Sequence, residues 1–276
     1  MPFLKNRKLV FLLIAIALIT ITGFKFLSGK VVIGLRHPES AVYYQGYIFV
    51  SNIGFSPVSE NLDGFITKLD KYGNILEYKF IDHLQAPKGL WVKNNHIYIS
   101  DLNRVCVANI DTKRMHCIPV KSSRFLNDIT LHGNAIYVTD TATNNIYCIK
   151  HNKVSIFYHG NGDFSPNGIV FSKRLKAFIV VSFNQPAINI ISQKGKLIKS
   201  IRIAGYTGFD GVSIYKDKIY ISDYRTGRIF AIGFNFRKPV PVKRFDTSVA
   251  DIGVYDNKLL APLLEANKLY IGTISQ

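Results

Sequence analysis

Short apolar segments rich in β-branched and aromatic residues return along the chain at a nearly constant interval. Four clear copies are YIFVSN (47–52), IYISD (97–101), IYVTD (136–140) and IYISD (219–223), and two weaker copies are FIVVS (178–182) and LLAPL (259–263). The small residue near the end of each copy serves as an anchor: Ser51, Ser100, Thr139, Ser182, Ser222 and Pro262. The steps between anchors are 49, 39, 43, 40 and 40 residues. A period near forty residues, with room for about four strands per unit, predicts an all-β, six-bladed β-propeller.

The sixth unit is too short to form a complete blade by itself. After the segment 259–263 only one more strand, 268–275, remains before the C-terminus. We expect the missing strand to come from residues 30–35, so that N- and C-terminal strands pair in one blade and close the ring. Closure removes the open sheet edges that invite aggregation. The propeller domain is predicted to span residues 30–276, without a second domain.

Residues 1–29 differ in character from the rest of the chain. Lys5, Arg7 and Lys8 precede an uncharged apolar run, 9–24, which is followed by Lys25. This order of a charged and an apolar region predicts an N-terminal signal anchor or transmembrane helix. A cleaved secretion signal is the second interpretation. The positive flank should stay in the cytoplasm, which places the propeller outside it, in the periplasm or the extracellular space, with the membrane as a partner.

The chain is strongly basic, with a formal net charge of +17. Residues 1–30 contain five lysines and arginines and no acid, which leaves +12 for the propeller. The basic residues of the propeller are scattered among predicted turns, whereas a nucleic-acid-binding protein concentrates them on one face. We therefore expect no nucleic-acid partner.

Two of the three cysteines are placed symmetrically about a turn. Cys106 and Cys117 flank the turn at 111–112 at equal distance, so on an antiparallel hairpin they would face each other. This placement allows a cross-strand disulfide in an oxidising compartment. The alternative, in which the cysteines are small apolar residues within strands, stays equally open, and Cys148 would be a lone thiol.

One polar position recurs at a fixed distance before the anchors. Counting back twelve residues from each anchor, or fifteen in the longer fourth unit, gives Glu39, Lys88, Asn127, Asn167, Asp210 and Ala250. Equivalent residues of successive blades form a ring around the propeller axis, and this set is called the ring below. Any one of these residues alone would be explained as a turn or surface residue. The shared register instead indicates a site.

The ring offers oxygen ligands from four blades. Glu39, Asn127, Asn167 and Asp210 present carboxylate and amide oxygens, the ligands that Ca²⁺ prefers. Mg²⁺, Mn²⁺ and Zn²⁺ stay open as alternatives, although the chain has no Cys/His spacing typical of zinc. Lys88 could balance the carboxylates, bind an anionic substrate or product, or act as a base.

Two further residues lie close to the ring in the sequence. Asp128 follows Asn127 directly and could accept a proton or orient its neighbour. Arg124 lies three residues before Asn127 and could contact a substrate, although a surface salt bridge is the commoner role of such a residue. Motifs typical of serine hydrolases, P-loop proteins and Rossmann domains do not occur.

At these residues the chain resembles the senescence-marker-protein, gluconolactonase and luciferin-regenerating-enzyme family of six-bladed propellers. The matching segments are PES (38–40), LND (126–128), PNG (166–168) and FDG (209–211), and more distantly they are similar to paraoxonases and strictosidine-synthase-like proteins. The resemblance implies that Glu39, Asn167 and Asp210 hold a divalent cation, with Asn127 and Asp128 beside the metal or substrate. Lys88 stands where paraoxonases have a His assigned as a base. Arg124 is one residue farther from the Asn than the corresponding gluconolactonase Arg.

These observations lead to three functional hypotheses. The first is a metal-dependent, lactonase-like hydrolase that opens a small lactone or ester, with Asp210 or Asp128 accepting a proton from water and Lys88 near the product. The second is a non-catalytic binding or scaffold propeller with a structural calcium ion. The third is a strictosidine-synthase-like condensation, which ranks last because Ala250 occupies the ring position of the sixth blade.

Overall fold

The structure, a computed structural model, describes residues 29–274. In this range the chain forms twenty-four β-strands and one 3-10 turn, Leu264–Ala266. The strands assemble into six four-stranded sheets, and all pairings within them are antiparallel. The prediction of a six-bladed all-β propeller is confirmed.

Each of the first five blades is a meander of four consecutive strands. Blade one consists of β2 (Pro38–Tyr44), β3 (Tyr47–Asn52), β4 (Gly64–Asp70) and β5 (Ile75–Leu84). Blade two consists of β6 (Pro87–Lys93), β7 (His96–Asp101), β8 (Arg104–Asn109) and β9 (Met115–Pro119). Blade three consists of β10 (Leu126–His132), β11 (Ala135–Asp140), β12 (Asn145–Lys150) and β13 (Lys153–His159).

The same order continues in the second half of the chain. Blade four consists of β14 (Pro166–Ser172), β15 (Ala177–Ser182), β16 (Ala187–Ser192) and β17 (Leu197–Arg202). Blade five consists of β18 (Phe209–Tyr215), β19 (Lys218–Asp223), β20 (Arg228–Gly233) and β21 (Val240–Arg244). Blade six consists of β22 (Gly253–Tyr255), β23 (Lys258–Leu263), β24 (Lys268–Thr273) and β1 (Lys30–Val32).

Chain ends close the ring in the sixth blade. There β1 pairs with β24, with Lys30 opposite Ile271 and Val32 opposite Leu269. The predicted pairing of terminal strands is confirmed, although the first strand is shorter than the predicted segment 30–35. Gly34 has a φ of +81°, a left-handed conformation that ends the extended segment as the chain turns toward β2.

The core lies between neighbouring blades, which explains the pattern of hydrophobic residues. The second strand of each blade is covered on both faces, so β11 and β15 are buried at every residue. The fourth strand faces solvent, and β17 is almost entirely exposed. Strands buried on both faces read as continuous apolar runs, and these are the repeated segments that mark the blades in the sequence.

The predicted N-terminal helix covers residues 1–29, and all but the last of these lie outside the described residues. Between residues 29 and 274 the structure contains no helix with the length and apolar character needed to cross a membrane.

Two hairpins depart from the regular blade pattern: one in blade two contains a disulfide, and one in blade one has a long loop. Cys106 in β8 and Cys117 in β9 are directly opposite each other and form a disulfide, while Cys148 is a free, partly buried thiol. The loop 53–63 between β3 and β4 is much longer than the corresponding hairpin turns of the other blades. This loop accounts for the long first step of 49 residues between anchors.

Candidate functional site

A β-bulge places each of the first five ring residues at one end of the propeller axis, where the first strand of each blade begins; this end is called the mouth face below. In β2, for example, Pro38 pairs with Asn52 and Ala41 pairs with Val50. Two residues of β2, Glu39 and Ser40, therefore lie opposite the single residue Ser51 of β3. The same skip occurs in β6, β10, β14 and β18. A bulge bends the strand and changes the direction of its side chains. Five of the six ring residues therefore share one structural cause, whereas Ala250 precedes β22 and its amide donates to the Pro262 carbonyl at 3.1 Å.

Anchor hydroxyl groups hold these bulges in place. The Thr139 hydroxyl accepts a hydrogen bond from the Asp128 amide at 3.0 Å and donates one to the Asn167 carbonyl of the next blade at 2.6 Å. Ser222 does the same for Gly211 and Ala250, at 2.8 Å each. The recurring Ser or Thr thus satisfies the bulge amide and links neighbouring blades.

The fourth blade departs from the predicted register. The residue opposite its bulge is Val181, because Pro166 pairs with Ser182 and Ile169 pairs with Val180. The structural anchor therefore lies one residue before the predicted Ser182, and no hydroxyl is available there to bridge to the fifth blade. Ser182 instead accepts a hydrogen bond from the Asn189 side chain at 2.9 Å. The ring position itself, Asn167, is the predicted one.

One cavity brings all six ring residues together. It has a volume of about 430 Å³ and is lined at its base by Glu39, Lys88, Asn127, Asn167, Asp210 and Ala250. All six are buried, from 1% exposure for Ala250 to 6% for Asp210. Apolar side chains form most of the wall above them: Ile53, Phe55, Pro57, Phe125, Phe183 and Leu264. An apolar cavity with a few convergent polar groups at its base is typical of a small-molecule site.

Each of the four predicted ligand residues presents one buried oxygen without a hydrogen-bond partner in the described structure. These atoms are Glu39 Oε2, Asn127 Oδ1, Asn167 Oδ1 and Asp210 Oδ1. Leaving a buried polar atom unpaired costs about 1–3 kcal/mol, so four on one ring need an explanation.

Hydrogen bonds fix the orientation of the two amides. The Asn127 amide nitrogen donates to the Thr141 hydroxyl at 3.1 Å, and that hydroxyl donates to the Pro166 carbonyl at 2.8 Å. The Asn167 amide nitrogen donates to Asp210 Oδ2 at 3.2 Å. Because the nitrogens are engaged in this way, the amide oxygens are the atoms left unpaired.

The electrostatics of the ring favour a bound cation. Burial, followed by the nearby Asp210 and Asp251 carboxylates, raises the pKa of Glu39 well above its ordinary value. Burial and Asp251 likewise raise the pKa of Asp210. A divalent cation would relieve both effects, and two carboxylate and two amide oxygens suit Ca²⁺. Within residues 29–274 no group of three or more His, Cys, Asp or Glu side chains is arranged to hold a metal. A divalent cation would therefore need the amide oxygens of Asn127 and Asn167 in addition to the two carboxylates.

Lys88 is the one cation of the ring, and it is almost completely buried. Its ammonium donates to the carbonyls of Pro57 and Ala86, at 3.1 Å each, and lies 4.2 Å from the centre of the Phe125 ring. Burial lowers the pKa of Lys88 to about 8, against the opposing effect of Glu39. The lysine therefore fixes the loop 53–63 over the cavity.

Asp128 lies on the other side of the ring from the cavity. It lines a separate chamber of about 220 Å³ farther down the axis, together with Asp251. Its oxygens accept hydrogen bonds from the amides of Ile129 and Ile169, at 2.7 Å each. Asp251 accepts from the Ile252 amide at 2.8 Å and from the Ser40 hydroxyl at 2.6 Å. These acids bridge adjacent blades, and both of their oxygens are engaged.

The two glycines that follow Lys88 and Asp210 make room for these acids. A Cβ atom at Gly89 would lie 2.6 Å from Asp128 Oδ1, and one at Gly211 would lie 2.5 Å from Asp251 Oδ1. The Lys-Gly and Asp-Gly pairs of the sequence therefore have a packing cause as well as a turn preference.

Arg124, a predicted substrate-binding residue, is not among the residues that line the cavity. Its side chain is exposed, and its backbone amide donates to Asp140 at 2.9 Å. Several lining residues carry no register signal in the sequence. Tyr224 and Glu265 are examples, and the Tyr224 hydroxyl donates to Glu265 Oε1 at 2.8 Å. They come from hairpin turns, whose spatial positions the strand period does not determine.

Comparisons with solved structures agree with the fold. A virginiamycin B lyase from Staphylococcus aureus aligns with a TM-score of 0.63 at 15% identity, over 90% of this chain and all of the lyase chain. A streptogramin B lyase aligns with a TM-score of 0.66 at 14% identity, over 90% of this chain and 98% of that one. A nidogen/laminin complex contributes a chain with a TM-score of 0.63 at 13% identity, over 78% and 85% of the two chains.

No protein-family model matches the chain, and no curated protein matches it in sequence. At these identities the structural likeness demonstrates a shared six-bladed propeller fold, found both in enzymes and in a protein complex.

Proposed function

We propose that the protein is a divalent-metal-dependent hydrolase that opens a lactone or a related small ester at the base of the mouth-face cavity. The observation that carries this proposal is the set of four buried, unpaired oxygens, one on each of Glu39, Asn127, Asn167 and Asp210. Their position beneath an apolar cavity of about 430 Å³ leaves space for a substrate next to the cation.

These four oxygens would hold the cation, with Ca²⁺ as the first choice on the chemistry of the donors. A bound divalent cation supplies two kinds of chemistry, since it polarises a carbonyl and lowers the pKa of water. The resemblance of this ring to that of the gluconolactonase family supports the same assignment of ligands.

The chain's own residues supply the rest of the reaction. The Asp210 carboxylate accepts a proton from the attacking water as the water oxygen bonds to the carbonyl carbon. When the ester C–O bond breaks, that proton passes to the departing alkoxide, which gives an alcohol and a carboxylic acid, joined in one hydroxy acid when the substrate is a lactone; the acid then ionises to a carboxylate. The Lys88 ammonium attracts the product carboxylate, and the Phe125 and Phe183 rings limit access of bulk water.

Asp128 is the less suitable proton acceptor. Both of its oxygens accept backbone hydrogen bonds, and it faces the lower chamber instead of the cavity. We therefore assign Asp128 a positioning role. It holds β10 of blade three and β14 of blade four in register, so that Asn127 and Asn167 converge.

The location outside the cytoplasm is part of the same proposal. An N-terminal anchor or signal on residues 1–29 would deliver the propeller to an oxidising compartment, and the disulfide between Cys106 and Cys117 is consistent with such a compartment.

The test is removal and return of the cation. We would treat the purified protein with a chelator and screen lactones and simple esters before and after adding Ca²⁺, Mg²⁺ or Mn²⁺. We expect turnover that disappears with the chelator and returns with one cation. Mass analysis of the product distinguishes hydrolysis, which adds one water, from the elimination expected of a lyase.

Two outcomes would contradict the proposal. Hydrolysis that is unaffected by complete chelation would exclude the metal dependence. Calcium binding that raises the melting temperature, with no turnover of any ester or lactone, would instead support the non-catalytic binding or scaffold propeller.

A further inference from the structure

A second concave surface lies at the mouth-face end of the fifth blade. It is an open groove of about 750 Å³, formed by the turn 224–228 and by the segment 244–248 that follows β21. Three arginines line it: Arg225, Arg228 and Arg244. The groove is called the arginine groove below.

A close backbone approach brings its two walls together. Gly227 has a φ of +64°, and a Cβ atom there would lie 2.3 Å from the Phe245 carbonyl oxygen and 2.4 Å from that of Thr247. The Phe245 amide donates to the Gly227 carbonyl at 2.9 Å. Only glycine allows this approach, so the distance between the walls is fixed by the backbone.

Stacking and hydrogen bonds hold two of the guanidinium groups. Arg225 lies over the Phe183 ring, 4.7 Å from its centre, and donates to the Thr207 carbonyl at 2.9 Å. Arg228 lies over the Tyr206 ring at 4.6 Å and donates to the Thr226 hydroxyl at 3.0 Å. A guanidinium has five N–H donors, so both groups keep donors available. Groups held in this way lose little further freedom when they bind an anion.

Arg244 adds positive charge that the described residues do not neutralise. It is directly opposite Arg228 in the β20–β21 pair, an unfavourable placement for like charges. Across residues 29–274, Arg244 has no side-chain hydrogen bond and no ion pair. The nearby acids are Asp223, 3.9 Å from Arg228 and engaged with Thr207, and Asp246, which lines the groove without an ion pair.

We propose that the arginine groove binds an oxyanion, a carboxylate or phosphate group, carried by the molecule that enters the mouth-face cavity. Three guanidinium groups on a concave surface are suited to oxyanions, which accept paired N–H hydrogen bonds. An anion between Arg228 and Arg244 would also remove their mutual repulsion.

The groove adjoins the cavity, which is why the oxyanion is assigned to the substrate. Tyr224 lines both spaces, and Phe183, on which Arg225 stacks, is part of the cavity wall. A ligand with its reacting group at the ring could therefore place an anionic arm beside the arginines. This assignment rests on the proposed hydrolase function, whereas binding of an anion in the groove does not.

Binding of inorganic phosphate tests the groove alone. We would titrate the metal-free protein with phosphate by calorimetry at low ionic strength, and compare Arg244→Gln with Arg114→Gln, an exposed arginine in a turn on the opposite face. Loss of a charged hydrogen bond should weaken binding about tenfold in Arg244→Gln and less than about twofold in the control. Asp246→Asn should strengthen phosphate binding, because it removes a negative charge from the groove. Absence of phosphate binding, or equal loss in both arginine variants, would overturn the proposal.

Paired substrates test the link to the cavity. For a carboxylated lactone, Arg244→Gln should raise KM about tenfold with kcat unchanged, while a neutral lactone of the same size should be unaffected. Equal effects on both substrates would reject the anionic arm. If the protein hydrolyses no ester at all, the hydrolase proposal fails, and the phosphate titration still decides whether the groove binds anions.

Discussion

Asn127 and Asp128 are consecutive residues of one bulge, and they have opposite surroundings. The Asn127 side chain faces the cavity and keeps an unpaired oxygen, whereas Asp128 faces the chamber below with both oxygens hydrogen-bonded. The same contrast separates Asp210 of the ring from Asp251 of the lower layer. Of the acidic residues along this part of the axis, those of the ring therefore keep an oxygen available for a ligand, whereas Asp128 and Asp251 hold the blades together.

The contrast shows that burial alone does not identify a functional acid. Burial raises the pKa of Glu39, Asp128 and Asp210, and it raises that of Asp251 to about 6. The difference lies in the hydrogen bonds, because only the ring carboxylates keep an oxygen free for a ligand. Variants that separate activity from stability can test this division.

Asp210→Asn should have the largest effect, on activity. Removing the proton acceptor and one charge of the cation site should lower kcat/KM about a thousandfold, within the range measured for general acid–base groups. The melting temperature of the metal-free protein should not fall, since a buried charge is removed. Steady-state kinetics and thermal unfolding measure both quantities. Asp217→Asn, in an exposed turn, is the matched control, and full activity in Asp210→Asn would refute the role of the ring.

Asp128→Ala should show the reverse pattern. The amides of Ile129 and Ile169 would lose their acceptor, so the free energy of unfolding should fall by about 3 kcal/mol. Activity per folded molecule should stay within about threefold, measured well below the melting temperature. A stable but inactive variant would instead place Asp128 in the chemistry.

The pH dependence of stability should be a smaller effect. Carboxyl groups with raised pKa values bind more protons in the folded state, so their contribution is complete below the unfolded pKa of about 4 and is lost as pH rises through the folded value. For Asp251, with a pKa of about 6, the contribution corresponds to about 3 kcal/mol. The chelated protein should therefore become less stable as the pH rises from about 4 to about 7.

Urea unfolding across this range, with and without Ca²⁺, measures the trend. Saturating Ca²⁺ should reduce it, because the cation compensates the ring carboxylates at high pH. Asp251→Asn should flatten the curve of the chelated protein. Stability that rises with pH in the presence of chelator would contradict the assignment of these buried acids.

The sequence predicted the blades and the ring well because both follow from one period. Strands buried on two faces are apolar throughout, so their spacing counts the blades, and a fixed offset from them locates Glu39, Asn127 and Asp210. The offset works since the anchor hydroxyl and the bulge form one hydrogen-bonded unit. In the fourth blade Val181 stands opposite the bulge in place of a hydroxyl residue, so the predicted anchor Ser182 lies one residue past the structural one.

Features that depend on loops were beyond this kind of prediction. Tyr224 and Glu265 line the cavity from turns of different blades, whereas Arg225 and Arg244 share one groove because the turn after β19 and the end of β21 lie at the same end of the fifth blade. The basic residues looked scattered along the chain, yet three arginines share one groove. Arg124, in contrast, lies three residues from Asn127 in the sequence but does not line the cavity.

Pairing of β1 with β24 also has a consequence for the order of events during synthesis. Lys30 is made early, but its partner Ile271 emerges roughly 240 residues later, a delay on the order of ten to fifty seconds at usual translation rates of about 5–20 residues per second. During that time five blades can form while the ring stays open and the first strand stays unpaired. The ring residues of the first and sixth blades meet only when β24 pairs with β1, so a cation site that includes Glu39 is completed only after β24 has been synthesised.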